Sequence, residues 1–433
     1  MVDRDAVAHL LRRATFGPTA AEVDAAERDG VAATLDRLLS PTGRDAGAAA
    51  TPVPRLGADP FAALDKKPSR EQRQQAQRER AEQARRLADW WLDRMVAADH
   101  QLPEKLVFFW HGHWATSVRK VKSAQLMLGQ LDTFRAHGRG GFEALVRAMV
   151  RDPALILWLD GQKNTRAAPN ENLARELMEL FTLGIGNYTE ADVKAGARAL
   201  TGWQVDRNAA KARFVPRRHD SGEKTILGQT AAFDADSYAR LLAGRPEAGA
   251  FVAARLWFRF ASRDTAPPQS LAATGDTTGT LRAIFTAPAF AQTRNQLVKQ
   301  PVEWIVGAMR QLGIRPGRLA EKERKELSNR LAGMDQVPLR PPSVGGWPAG
   351  ESWLTTSSLQ ARMRLATLLA GAAAPTVVQG LSAAPSAGRP DALARLLVVD
   401  RWTARTRTAL TALAEDPERL LAAGLISPEY TVC

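Results

Sequence analysis

At 433 residues, with 45% hydrophobic and 24% charged positions, the chain is long enough to bury one large core or two ordinary ones. Its formal charge of +13 favours anionic partners. The basic residues are spread along the chain among acids, however, with no zinc finger, basic arm or RNA-binding aromatic pattern, so nucleic acid is not an expected partner.

A single cysteine, Cys433, leaves no intrachain disulfide. The opening MVDRDAVAHLLRRATFGPT has no apolar stretch of signal-peptide type, and the longest mildly apolar run, Leu365–Ala373, is far too short to span a bilayer. These features lead us to expect a cytoplasmic protein without a membrane span.

Asp3–Arg13 predicts a short helix ending before Phe16-Gly17-Pro18, and Thr19 with Glu22 has the capping-box spacing for a second. Ser40–Asp65, rich in proline, glycine and alanine, reads as loop. Residues 66–98 read as a charged, protruding arm or long outer helix, polar through SREQRQQAQRERAEQA and apolar on one face from Leu87 to Met95. PEKLVFFW runs into HGHW, helices follow over Val121–Phe134 and Phe142–Met149, and Ala154–Leu159 is a small strand or a helical turn.

The segment NTRAAPNENLARELMELFTLGIGNYTEADVKAGARALTGW puts Asn170, Glu171, Arg175, Glu176 and Glu179 on one predicted helix, with Asn170 as its cap. Thr189 and Asp192 form a second capping box, and the stretch stops at Thr201-Gly202-Trp203. Strand-like pieces flank the turn-rich Phe214–Gly228. Apolar helices follow, one of them, Ala248–Phe260, carrying Arg255 and Arg259. Residues 370–390 read as a small-residue linker. The expected fold is mainly α: one large helical domain over 1–433 with long irregular loops and at most a few short strands.

Four groups of residues have chemistry to offer. In a strand His111 and His113 would point to one side and suit a metal; in a helix they would diverge. Glu171, Arg175 and Glu179, four apart, share a helix face and form a charge ladder that can satisfy itself. Glu176 is offset by one residue and is the better acid or base. His219 and Asp220, with Lys224, form a polar turn that either is solvated or faces a cleft. Trp203 and Trp347 border glycine-rich loops and could wall a site, although tryptophans are more often core. No HExxH, CxxC, P-loop, GxSxG or GxGxxG occurs.

Taken together, HLLRRATFGPT, EKLVFFWHGHWATS, the long NENLARE…TGW stretch, RRHDSGEKTILG, PPSVGGWPAGESWL and the final SPEY resemble the bacterial DUF1800 family over nearly the whole chain. The resemblance implies a large helical domain and carries no established activity. It singles out His111, His113, Asn170, Glu171, Arg175, Glu176, Glu179, Trp203, His219 and Asp220. Members often look exported, and are often encoded beside a sulfatase-like DUF1501 protein, which implies a functional link to such a partner. The family usually has Asn between the two histidines, where this chain has Gly112.

The leading expectation is a hydrolase acting on a polar or anionic substrate. In it Glu176 or Glu171, with His219 and Asp220, would do acid–base work, while Arg175, Lys224, Trp203 and Trp347 would hold the substrate. His111 and His113 would be available to a divalent metal. The alternative is a binding or scaffold protein whose polar centre is a packing network.

Overall fold

The computed structural model describes residues 3–62, 64–65, 67–273 and 275–433, with the side chains of 272 and 273 left aside. The fold is a large, mainly α-helical one. Among the described residues the strands are two short antiparallel hairpins, Trp203–Asp206 with Lys211–Phe214 and Lys224–Ile226 with Gln229–Ala231. One contiguous apolar core runs from Leu10 to Tyr430 and takes in most of the helices.

Local signals position the early elements as expected. Asp3 caps the helix Arg4–Ala14, and both capping boxes, Thr19 with Glu22 and Thr189 with Asp192, are closed. Ala154–Leu159 resolves as helical: Asp152 caps Pro153–Trp158, with proline at the first position, where its missing N–H costs nothing.

The charged helix spans Arg70–Ala97; position 66 lies outside the described residues. It is an outer helix rather than a free arm. Its face from Ala84 to Val96 is buried, packing on Ala124–His137 and Pro301–Gln311, and Arg80 clamps Asp59 at 2.7 Å. The 370–390 segment is not an irregular linker either. Ala374 opens the helix Pro375–Ala383, Leu381 is buried, and a further helix starts at Arg389. Its small residues are good helix formers once proline sets the first turn.

Buried charge is concentrated between helices. Glu303, at the start of Pro301–Gln311, pairs with Lys105 at 2.7 Å and Arg259 at 2.9 Å. The two cations hold its carboxyl well below the usual range despite burial. Among the described residues no single helix is long and apolar enough to cross a membrane.

Candidate functional site

The helix Gln101–His113 continues through Gly112, so the two histidines lie about 200° apart around its axis. His111 meets the ring edges of Trp91 and Trp347, whereas His113 meets Phe109, Trp110, Trp114, Phe181 and Phe251. The strand arrangement that would aim both imidazoles at one ion does not form. Among the described residues no group of three His, Cys, Asp or Glu side chains could hold a metal.

His113 Nε2 lies 2.9 Å from the Phe181 carbonyl oxygen, which fixes the proton on Nε2 and leaves Nδ1 as a lone pair. Burial, with the nearby Arg255 guanidinium, pulls the His113 pKa down to about 3. Burial alone does the same to His111, also to about 3. Both rings are therefore neutral at neutral pH.

Phe181 belongs to the signature stretch, which is not one regular helix. Asn172–Glu176 is α-helical and Leu177–Thr182 is a π-turn, with the Leu183 amide donating five residues back to Met178 at 2.9 Å. The wide turn breaks the expected ladder. Arg175 reaches Glu171 at 3.1 Å, but its other partner is Glu190, held at 2.7 and 2.8 Å. Glu179 is carried off that face and accepts the Tyr188 hydroxyl at 2.7 Å. Glu176 is half-buried, with no side-chain hydrogen bond or ion pair among the described residues. Burial and the neighbouring Glu179 raise its pKa.

The RHDSG turn packs on the far end of the same stretch. Asp220 takes Arg198 at 2.6 Å and its amide donates to Thr201 Oγ1 at 2.8 Å, while His219 Nδ1 sits 3.1 Å from Thr201. Lys224 is buried, and its ammonium donates to the carbonyls of Asp220, Gly222 and Phe233 at 2.6, 2.7 and 2.9 Å. All three of its donors are spent on the loop, so the cleft-facing reading of Lys224 does not hold. Trp203 is half-buried, edged by Phe214 and covered by the Arg151 guanidinium at 5.8 Å. The cap position of Asn172–Glu176 is Glu171, which makes no capping bond; Asn170, expected as the cap, lies one residue earlier and accepts the Asn172 amide at 3.2 Å in a local turn. Asn164, which sequence reasoning passed over, ties the stretch together: its side chain accepts the Asn170 amide and donates to the Ala197 carbonyl. A polar loop residue offers no signal for such a hub.

The expected composite centre thus does not form one bonded cluster among the described residues. No hydrogen bond or ion pair joins any two of His111, His113, Glu176 and His219 among the described residues. What the fold does bring together is the HGHW motif and the VGGWP loop. Trp347 stacks on Phe108 at 5.7 Å and lies edge-on to His111 at 5.4 Å. Beneath it opens a cleft of about 60 Å³, lined by Gly112, His113, Arg255, Arg259, Gln300 and Trp347, among others.

Two observations set this cleft apart. Arg259 spends its charge on Glu303, but Arg255, one turn earlier, has no hydrogen bond or ion pair among the described residues. Of the residues lining the cleft, His113 Nδ1 and the Trp347 indole nitrogen are buried without a hydrogen-bond partner, as are both ring nitrogens of His111 and the indole nitrogen of Trp114 elsewhere on the HGHW motif. Such groups are normally satisfied, and their concentration on two motifs is unusual. The sequence did carry a hint in two arginines four apart within an apolar helix.

No curated protein and no solved structure matches the chain. A family model, described as a protein of unknown function (DUF1800), matches residues 9–432, and the chain belongs to that family.

Proposed function

We propose that this chain is a hydrolase that recognises a single anionic group of its substrate in the cleft under Trp347. The observation that carries the reading is Arg255, a guanidinium without a counter-charge among the described residues, aimed at a cleft lined by both motifs. A cleft of about 60 Å³ suits a carboxylate-sized group rather than a whole substrate. An anion there would pair with the guanidinium in a partly dry setting, where charge-assisted hydrogen bonds are strongest.

His113 supplies the base. Its Nε2–H is tied to Phe181, so Nδ1 is the atom able to take a proton. A bound anion would offset the part of the His113 depression that comes from Arg255, the larger part being burial. A cytoplasmic setting goes with this proposal, for a chain with no disulfide to keep.

The scaffold alternative is favoured for one half of the signature, since Asp220 and Lys224 are fully engaged by the loop itself. The test compares wild type with Arg255→Met and Arg255→Lys, by acetate-dependent thermal shift and by hydrolysis of carboxylate-bearing esters and amides. Acetate should stabilise wild type and Arg255→Lys but not Arg255→Met, and turnover should follow the same order. A wild type indifferent to acetate and inert toward every ester and amide would sink the proposal.

A further inference from the structure

A second cavity, of about 1170 Å³, shares no lining residue with the cleft under Trp347. It lies between Arg12 on the first helix, the segment from Arg294 to Lys299, and the C-terminal helices Ala404–Thr411 and Pro417–Leu425. None of the residues of the Asn164–Trp203 stretch lines it, whereas Arg12 and Ser427, Pro428 and Glu429 of the two terminal motifs do.

Most of its charged groups are already matched. Arg12 clamps Asp400 at 2.6 and 2.9 Å, and Arg294 faces Asp3 at 3.3 Å and Asp5 at 3.7 Å. Glu429 accepts from the Thr403 amide at 2.9 Å and the Thr406 hydroxyl at 3.1 Å. What remains, besides the Glu429 carboxylate on its two neutral donors, is cationic. The side chains of Lys299, Arg401 and Arg405 have no hydrogen bond or ion pair among the described residues.

Lys299 is half-buried, its ammonium 3.7 Å over the Tyr430 ring. Burial draws its pKa down to about 7, against the opposing influence of Cys433 and Glu303. The rest of the wall is apolar. Trp402, fixed by its indole bond to the Pro390 carbonyl at 2.7 Å, lines the cavity with Leu410 and Ile426.

We infer that this cavity is a binding site for an organic anion with an apolar body, its acid group on Lys299 and its body against Trp402, Leu410 and Ile426. A cavity of this volume is of small-molecule size, and few polar groups on an apolar wall are the usual composition of such sites. The site is independent of the cleft under Trp347, so either can fail alone.

The experiment titrates the full chain with 8-anilinonaphthalene-1-sulfonate, an apolar sulfonate that fluoresces in dry sites, and then competes it with decanoate or decyltrimethylammonium. Saturable one-to-one binding is expected, displaced by decanoate and not by the cation. Affinity should fall about tenfold in Lys299→Met and about threefold in the exposed Arg405→Ala, with Arg255→Met unchanged. Absence of saturable binding, equal displacement by the cationic competitor, or full affinity in both Lys299→Met and Arg405→Ala would each overturn the assignment. Should Lys299→Met not fold, Arg405→Ala and the competitor pair still decide it.

Discussion

Gly346 lies so close to the backbone of Gly112 that a Cβ at 346 would stand 2.5 Å from the Gly112 carbonyl oxygen. Gly346 also has φ of +89°, a region that side chains with a Cβ rarely adopt. Two motifs more than two hundred residues apart in sequence are thus in direct backbone contact, beside the stacking of Trp347.

Gly346→Ala should therefore be severe for so small a change. The left-handed backbone costs about 1–2 kcal/mol and the forced separation about 1–3 kcal/mol more. We expect a loss of about 2–5 kcal/mol in urea unfolding, against a control such as Gly371→Ala, which has open space at its Cβ. Equal stability of the two variants would mean that the loop does not press on the helix.

The two histidines should respond in opposite ways to the same substitution. His111 has no partner for either ring nitrogen, so His111→Phe removes an unsatisfied buried polar group and should leave stability unchanged or raise it by about 1 kcal/mol. His113→Phe strips the Phe181 carbonyl of its donor and should cost about 1–3 kcal/mol. Thermal or urea melts of the pair decide this, and a larger loss at His111 than at His113 would contradict it.

Acid should destabilise the chain earlier than carboxylates alone would dictate. His9, His111 and His113 are each depressed to about 3, chiefly by burial, from an unfolded value of 6.5. In that window the unfolded chain binds the extra protons, so stability is fully present above 6.5 and is lost as pH falls. Buried Asp152, raised to about 6, acts oppositely and gains as pH falls from 6 toward 3.8. Three rings outweigh one carboxylate, giving a net slope of up to about 3 kcal/mol per pH unit between roughly pH 4 and 6. Urea midpoints at pH 7.5, 6 and 5 should fall in that order, with a slope about half as large in His111→Phe. A flat or inverted series would show that these rings are not held neutral.

What could be read from sequence was what depends on near neighbours. The capping boxes at Thr19 and Thr189 are complete within four residues, and both formed. The helical dominance of the fold was legible for the same reason. The π-turn was not, because Leu177–Thr182 has ordinary helix composition and the wider register shows only in which carbonyl each amide finds. Gly112 suggested a helix end, yet the helix runs on to His113, and that one turn decided that the imidazoles diverge. Lys224 looked available because the carbonyls that consume it, two in its own turn and one at Phe233, are backbone groups that carry no sequence signature. Arg255 was visible as a charge in an apolar helix, but only the placement of Glu303 tells it from Arg259.

The π-turn also changes what chain length means in the signature stretch. In a loop, one residue more or less is absorbed by slack. Within Leu177–Thr182 the wide turn holds one residue more than α winding would, so losing one would close it to the tighter winding and change which residues of the turn face which partners. Phe181 would turn away from His113, and Glu179 would come back toward Arg175. Sequences differing by one residue here would therefore differ in which groups face one another, while keeping the same composition and the same helix.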